Sequence, residues 1–409
     1  MPDDQPTAPA GAGAPSTHDP SQEESLLSFI AGKRLNLLLI FVPLALAIEL
    51  LHLPKLWLFG VSALAIIPLA GLIGEATEQV AHRTSPTVGG LLNATFGNAT
   101  ELIIAVFALR AGLTEVVKAS IAGSIIGNAL LVLGLAMFLG GWKRTRQYFD
   151  PTHASASAAM LLLAVVALVM PAVFDLVVYG NLRENTSVVQ SLSLLVAVVL
   201  MLSYLASLVF SLRTQSSLFS PRPRSEPRDI EGAVAGIPDQ ALAEDVEEEG
   251  PRLSLASSLT LLGIATAVTA LVSELLVEGI SEATEALGLT EFFVGVIVVA
   301  VVGNAAEHFS AVTMEMKNKM DLAVTIATGS STQIALFVAP VLVMLSFLFG
   351  SPMSLVFNAF EIVGITLSVL ILSIVSLDGE SNWFEGLQLI AVYLILAIVF
   401  YFVPAWATG

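Results

Sequence analysis

The chain has 409 residues, 56% of them hydrophobic and only 12% charged, with a mean hydropathy of +0.85. Soluble domains carry roughly 25% charged residues, so composition excludes the ordinary soluble classes and points to a membrane protein. A net charge of −17 argues against nucleic acid as a partner, and the absence of cysteine excludes disulfides, thiolate metal sites and cysteine nucleophiles.

Residues 1–24 are rich in Pro, Ala, Gly, Asp and Ser. They lack the basic start and apolar core of a secretory signal. The expectation is a disordered, soluble tail over residues 1–34. Eleven apolar runs of spanning length follow, near 36–53, 56–80, 87–109, 113–140, 154–179, 187–211, 255–278, 290–315, 320–349, 354–376 and 385–404. Lipid requires each span to satisfy its own backbone hydrogen bonds, so the predicted fold is an all-α membrane protein with eleven transmembrane helices.

The longest break, 213–252, opens with "SPRPRSEPRD" and then turns acidic at Asp239, Glu244, Asp245, Glu247, Glu248 and Glu249. It reads either as a solvated linker or as a cytosolic acidic helix that concentrates cations near an entrance. Lys and Arg set orientation. With the N-terminus in the cytoplasm, that side holds Lys33, Arg34, Arg83, Lys143, Arg144, Arg146, Arg213, Arg222, Arg224, Arg228, Arg252, Lys317 and Lys319. The other side holds Lys55, Arg110, Lys118 and Arg183. The expected topology is therefore N-in, C-out.

An internal repeat organises the chain. "GNATELI" at 97–103 and "GNAAEHF" at 303–309 lie 206 positions apart. "GSIIGNALLVLG" from Gly123 and "GSSTQIALFVAP" from Gly329 share that offset. The expected units are an extra helix at 35–54, a first five-helix repeat at 55–212, the linker at 213–252 and a second five-helix repeat at 253–409. Five is odd, so the copies enter the membrane from opposite sides, an inverted-topology repeat of the kind found in secondary transporters with midplane sites.

Glu101 and Glu307 lie about 14 and 17 residues into their spans, which at 1.5 Å per residue puts both near the bilayer centre. Gly and Asn just before each carboxylate weaken the helix. A carboxylate at that depth costs at least roughly 2.5–3.5 kcal/mol, and two facing ones repel, so a cation is implied. Calcium takes six to eight oxygen ligands. Candidates are the carboxylates of Glu101 and Glu307, the amides of Asn98 and Asn304, and freed carbonyls at Gly97, Asn98, Gly303 and Asn304. With no sulfur ligands, zinc and copper are less natural. Burial and a like-charged neighbour also favour protonation of carboxyl groups. Competition between two protons and one divalent cation is the minimal chemistry of an exchanger.

Further candidates line an ion or proton pathway. Glu75 and Glu78 end the second span, and Glu274 and Glu278 end the seventh, each pair on one helix side; relay groups and solvated helix ends are the two readings. Glu282–Glu285 are placed outside the membrane. Ser124, Asn128, Ser330, Ser331 and Gln333 follow the motifs and either line a cavity or permit tight packing. Thr100 is similar. His308, beside Glu307, is a proton carrier or an ordinary packed side chain. Glu49, Asp175 and Glu361 receive no role.

The twin motifs, each followed by a Gly-Ser helix, resemble the calcium/cation antiporter superfamily, and within it the calcium/proton exchanger family, over nearly the whole chain. That resemblance implies export or sequestration of Ca²⁺ driven by inward proton flow. It implies central ligands at Glu101 and Glu307, with Asn98 and Asn304 in the helix break, and gate or lining roles for Glu78, Ser330 and Gln333. One departure stands out: Gln333 aligns with Gly127, not with Asn128. The alternatives are a sodium/calcium exchanger and a cation channel. No phosphate loop, His-Glu zinc motif or paired nucleophile and base is present, so no enzyme and no cofactor is expected, only transported Ca²⁺ and H⁺. The expected setting is a microbial cell membrane, with a vacuolar membrane as alternative; a homo-oligomer stays open.

Overall fold

A computed structural model describes residues 25–180, 182, 187–214 and 253–407. Residues 1–24 of the predicted tail, the acidic segment of the linker, and Arg183, Arg222, Arg224, Arg228 and Arg252 lie outside the described residues. The end of the predicted tail is ordered. Ser25 caps a short helix, α1 (Leu26–Ala31), by accepting from the Ser28 N–H, and Phe29 is buried. A 3-10 segment, Arg34–Ile40, leads into α2 (Phe41–Leu50).

The chain then runs through α3 (Lys55–His82), α4 (Pro86–Phe96), α5 (Ala99–Arg110), α6 (Thr114–Ile126), α7 (Leu133–Gly141), α8 (Pro151–Tyr179) and α9 (Ser187–Thr214). The second half comprises α10 (Leu255–Leu287), α11 (Glu291–Phe293), α12 (Ala300–Gly303), α13 (Ala305–Met316), α14 (Met320–Gln333), α15 (Ala339–Leu348), α16 (Ala359–Val375) and α17 (Trp383–Tyr401). Three π-helical turns, Gly127–Val132, Val294–Val299 and Ile334–Val338, join α6 to α7, α11 to α12 and α14 to α15. Such turns inside α-helices often accompany functional sites. One antiparallel ribbon pairs β1 (Gln147–Tyr148) with β2 (Glu380–Ser381).

Among the described residues, seven helical units are long and apolar enough to cross a membrane: α3, α6–α7, α8, α9, α10, α14–α15 and α17. The pair formed by α11–α12 and α13, bent by 55°, makes an eighth. This is an all-α membrane protein. Every predicted run maps onto helix, but besides the bent pair at 290–315 three are not long continuous spans. The first divides into 3-10 and α segments. The first-motif run divides into α4 and α5 around Gly97 and Asn98. The tenth shortens to the 17 residues of α16, because 354–358 is buried, non-helical chain. Conversely, α10 continues past the predicted end at 278 to Leu287, so Glu282–Glu285 form its last turns.

Local sequence explains the helix ends. Asp150 caps α8 through Thr152 and His153 N–H groups, and Ser254 caps α10. Asn358 and Glu361 form a reciprocal capping box on α16, which is the structural task of a Glu given no role from sequence. Gly180 and Gly288 stop α8 and α10 with φ of 72° and 66°, conformations that favour glycine.

The packing sets the two halves against each other. α3 and α10 lie antiparallel along their length. At one end the Leu253 N–H donates to Gln79 Oε1 at 3.2 Å. At the other, Gly279 sits so close to Phe59 that a Cβ would come within 2.8 Å of the Phe59 Cβ. α6 crosses the π turn Val294–Val299 at equally short range: a Cβ on Gly295 would meet Ala119 Cβ at 2.7 Å, and one on Gly123 would overlap the Val296 carbonyl. Small residues permit such approach where no hydrophobic effect drives helices together. α5 and α13, α6 and α14, and α7 and α15 begin 206 positions apart, the offset of the motifs. Lys118, counted as a loop charge, is instead buried at 3% exposure, paired with Glu115 at 2.9 Å and donating to the Val356 carbonyl at 3.1 Å.

Gly123 and Gly329 occupy equivalent places in the repeat, yet a Cβ on Gly329 meets nothing within 4 Å. Gly123→Val is expected to destabilise the protein by at least about 1–3 kcal/mol through overpacking, whereas Gly329→Ala is expected to be neutral or slightly stabilising. Thermal unfolding of both variants in detergent checks this.

Candidate ion-binding site

Each motif breaks its helix at Asn. α4 ends at Phe96, and Asn98, with φ −111° and ψ 29°, begins α5; Asn304, with φ −86° and ψ 15°, separates α12 from α13. Asparagine at such a position usually caps the next helix with its side chain. Neither does so here, because both amides are turned across the molecule to the other half.

Asn98 donates through Nδ2 to Gln333 Oε1 and accepts at Oδ1 from Ser330 Oγ at 3.0 Å. Asn304 donates through Nδ2 to Ser124 Oγ at 2.7 Å and to the Ala300 carbonyl at 2.8 Å, and accepts at Oδ1 from Asn128 Nδ2 at 3.0 Å. Asn128 Nδ2 also donates to Ser330 Oγ at 3.0 Å. The result is one unbroken chain of hydrogen bonds linking α5, α6, the following π turn, α12–α13 and α14. Ser124 and Ser330 are repeat equivalents and bond to Asn304 and Asn98 respectively. The mismatch between Gln333 and Asn128 is absorbed by length: Gln333 lies one position short of the repeat equivalent of Asn128, and its extra methylene still delivers an amide to the opposing Asn.

The carboxylates sit within this frame. Glu101 and Glu307 occupy the first turns of α5 and α13, where a helix favours negative charge. Glu101 is buried, and Gly303 of the other motif lies against it, with a Cβ there only 3.2 Å from Glu101 Cγ. Glu307 stands in the first turn of α13, the helix that begins at the break after Gly303. Both oxygens of Glu101, Oε2 of Glu307 and Oδ1 of Asn128 are buried without a hydrogen-bond partner. Buried polar atoms normally find partners, and an ionised carboxylate without one is strongly disfavoured. Unpartnered oxygens of this kind are suited to a cation.

Several predicted ligands are engaged already. The carbonyls of Asn98 and Asn304 accept the Leu102 and His308 N–H groups at 3.1 and 3.0 Å, so they are not freed by the break. The amide oxygens of Asn98 and Asn304 each hold a protein donor. Ser331 bonds its own helix at the Ala327 carbonyl. Thr100 is buried beside Glu101, and His308 is half-buried beside Glu307. Among the described residues no group of three or more His, Asp or Glu side chains is arranged to hold a metal; the site has two carboxylates and neutral oxygens.

The outer acidic pairs are not drawn into this network. Glu75 pairs with Lys33 at 2.6 Å, and Glu78 faces His82 at 3.8 Å. Glu278 faces Lys55 at 3.7 Å, and Glu274 is exposed. Sequence reasoning missed the hook that brings Lys33 to Glu75: Phe29 packs into the cluster that holds Leu72, Ile73, Ala76 and Ala99. The available signal was the "SLLSFIAG" stretch, a capping Ser followed by an apolar turn.

Comparison with known proteins shows the family. The model of the sodium/calcium exchanger protein family matches residues 54–213 and 257–402. A Ca²⁺/H⁺ antiporter of Aphanothece halophytica is 47% identical over 368 residues, covering 90% of this chain and 96% of that protein. The Ca²⁺/H⁺ antiporter ChaA of Bacillus subtilis is 45% identical over 361 residues, covering 88% and 96%. The solved structure of native YfkE superposes with a TM-score of 0.74 at 40% identity, covering 90% of this chain and 100% of that one. An H⁺/Ca²⁺ exchanger, CAX, shares the fold at a TM-score of 0.63 and 17% identity, covering 90% and 91%. The chain belongs to the calcium/proton exchanger family of the calcium/cation antiporter superfamily.

Proposed function

We propose that this protein exchanges Ca²⁺ for H⁺ across a membrane by alternating access, with Glu101 and Glu307 as the shared binding groups. The observation that carries this reading is a carboxylate from each motif with unpartnered oxygen: both oxygens of buried Glu101 and Oε2 of half-buried Glu307 are enclosed without a hydrogen-bond partner. Calcium is a hard cation that takes oxygen ligands in flexible numbers. The two carboxylates would supply the charge, with the unpartnered Asn128 Oδ1 a candidate neutral donor. Two protons cancel the same charge as one Ca²⁺, so each displaces the other.

The architecture proposed for this chemistry is eleven membrane segments: one extra helix, then two five-helix repeats of inverted topology, with the N-terminus in the cytoplasm and the carboxylates near the midplane. Support comes from the 206-residue offset shared by motifs and helix starts, and from the antiparallel packing of α3 on α10, the first helix of each repeat. Inverted repeats give a carrier two interchangeable half-structures around a fixed site. The halves are not packed alike: α6 is tight against the π turn of the second motif, whereas its counterpart Gly329 faces open space. A cell membrane is the proposed location.

Reconstituted into proteoliposomes, wild-type protein is expected to move Ca²⁺ against an imposed proton gradient and to continue when sodium is replaced by choline. Glu101→Gln and Glu307→Gln are each expected to reduce exchange to background while the protein remains folded. Retained exchange in either variant, or exchange that stops without sodium, contradicts the reading.

The amide frame is expected to matter in a graded way. Asn128→Ala leaves Asn304 Oδ1 without its donor, a loss of about 1–3 kcal/mol. Gln333→Ala leaves Asn98 Nδ2 without its side-chain acceptor. Both variants are expected to transport with raised KM for Ca²⁺ and lowered thermal stability, in contrast to the silent carboxylate variants.

A further inference from the structure

Two turns of α13 beyond Glu307, a third acidic side chain is sealed inside protein. Residues 307, 311 and 315 share one helix face, and Ala311 and Glu315 are both fully buried. Glu315 lies against Gly140 of α7, where a Cβ would overlap its side chain. Its Oε1 accepts from Gln147 Nε2 of β1 and from Arg144 Nη1 at 3.4 Å. Its Oε2 is buried with no hydrogen-bond partner.

Arg144 does not depend on the carboxylate. Its Nη1 also donates to the Gly140 carbonyl at 3.1 Å and the Glu315 carbonyl at 2.9 Å, and its Nη2 donates to the Met316 carbonyl at 3.2 Å. One guanidinium thus caps the C-termini of α7 and α13 together, where cations are favoured. The other charge acting on Glu315 is negative: Asp321 of α14, whose Oδ1 accepts the Asp150 N–H at 2.7 Å. α7 brings Gly140 against it, and β1 brings the neutral Gln147. Glu315 can therefore gain or lose a proton at Oε2 without dismantling the junction. When ionised it adds a hold on Arg144; when neutral it leaves the carbonyl contacts in place.

We propose that Glu315 is a proton-binding residue separate from the central pair. Its charge state sets how firmly α13 is held against α7 and β1, and through α13 it tunes exchange to the pH at the end of the molecule bearing Lys317 and Lys319. The inference rests on Glu307, on the same helix, acting as an ion-binding carboxylate. Glu315 is a positioning residue in this account, since it reaches the transported ion only through α13.

The test uses full-length protein in proteoliposomes, with Ca²⁺ exchange measured across a pH series on each face. Glu315→Gln, which fixes the neutral form, is expected to match wild-type turnover at acid pH but to shift the alkaline limb, where wild-type Glu315 ionises, by about one pH unit, a tenfold change in proton concentration. Glu315→Asp is expected to restore part of the wild-type profile. Infrared difference spectra between acid and alkaline buffer are expected to lose one protonated-carboxyl C=O band in Glu315→Gln. A profile and spectrum superimposable on wild type would overturn the proposal, as would a uniform loss of activity at every pH. Glu307→Gln, run alongside, separates the two readings: exchange surviving in that variant sinks the central pair, while the infrared band still reports on Glu315.

Discussion

Two carboxylates, one from each half of the chain, converge on the paired helix breaks, and the proposed exchange depends on that convergence. Glu101 and Glu307 come from different halves of the chain, and neither Glu101 oxygen has a protein partner. Leaving buried carboxylates ionised and unpaired is among the costliest arrangements a protein interior can hold. In the proposed exchange this unfinished balance is what the transported ion completes.

What keeps the unfinished site from collapsing is the finished network around it. Asn98 and Asn304 spend their amides on Gln333, Ser330, Asn128 and Ser124 rather than on capping their own helices. The broken helices are therefore held from the opposite half, and the first turns carrying the carboxylates are aimed by that hold. The same cross-half logic appears in the backbone. Gly303 makes room for Glu101, and Gly123 and Gly295 let α6 lie almost in contact with the second motif's helix. Glycine acts here as space for a neighbour, not as freedom for its own dihedrals.

Much of this was legible in the sequence, and the limits of legibility have physical causes. The twin motifs gave the two carboxylates, their asparagines and the helix breaks, because Gly-Asn-Ala followed by Glu is conspicuous inside an apolar run. The serines and Asn128 were visible as polar residues on the next helix, but their partners were not, since pairings such as Asn98 with Gln333 join positions 235 apart. The freed carbonyls expected at Asn98 and Asn304 were wrong because one residue of break suffices for each to cap the following helix. Hydropathy overcounted continuous spans for a related reason: it registers apolar length and is blind to a 55° bend or a buried irregular loop. Lys33, Lys118 and Arg144 show the same blindness for charge. Each counts in the sequence only as a charge that sets orientation, yet Lys33 and Lys118 pair with carboxylates and Arg144 caps two helices.

The central claim is that metal and protons compete for one pair of carboxylates, and it is tested most directly without any membrane. Calcium added to the purified protein in weakly buffered detergent solution should release protons as it binds, and its affinity should fall steeply as the solution is acidified. Calcium that binds with no proton release and with the same affinity at acid and alkaline pH would contradict the account.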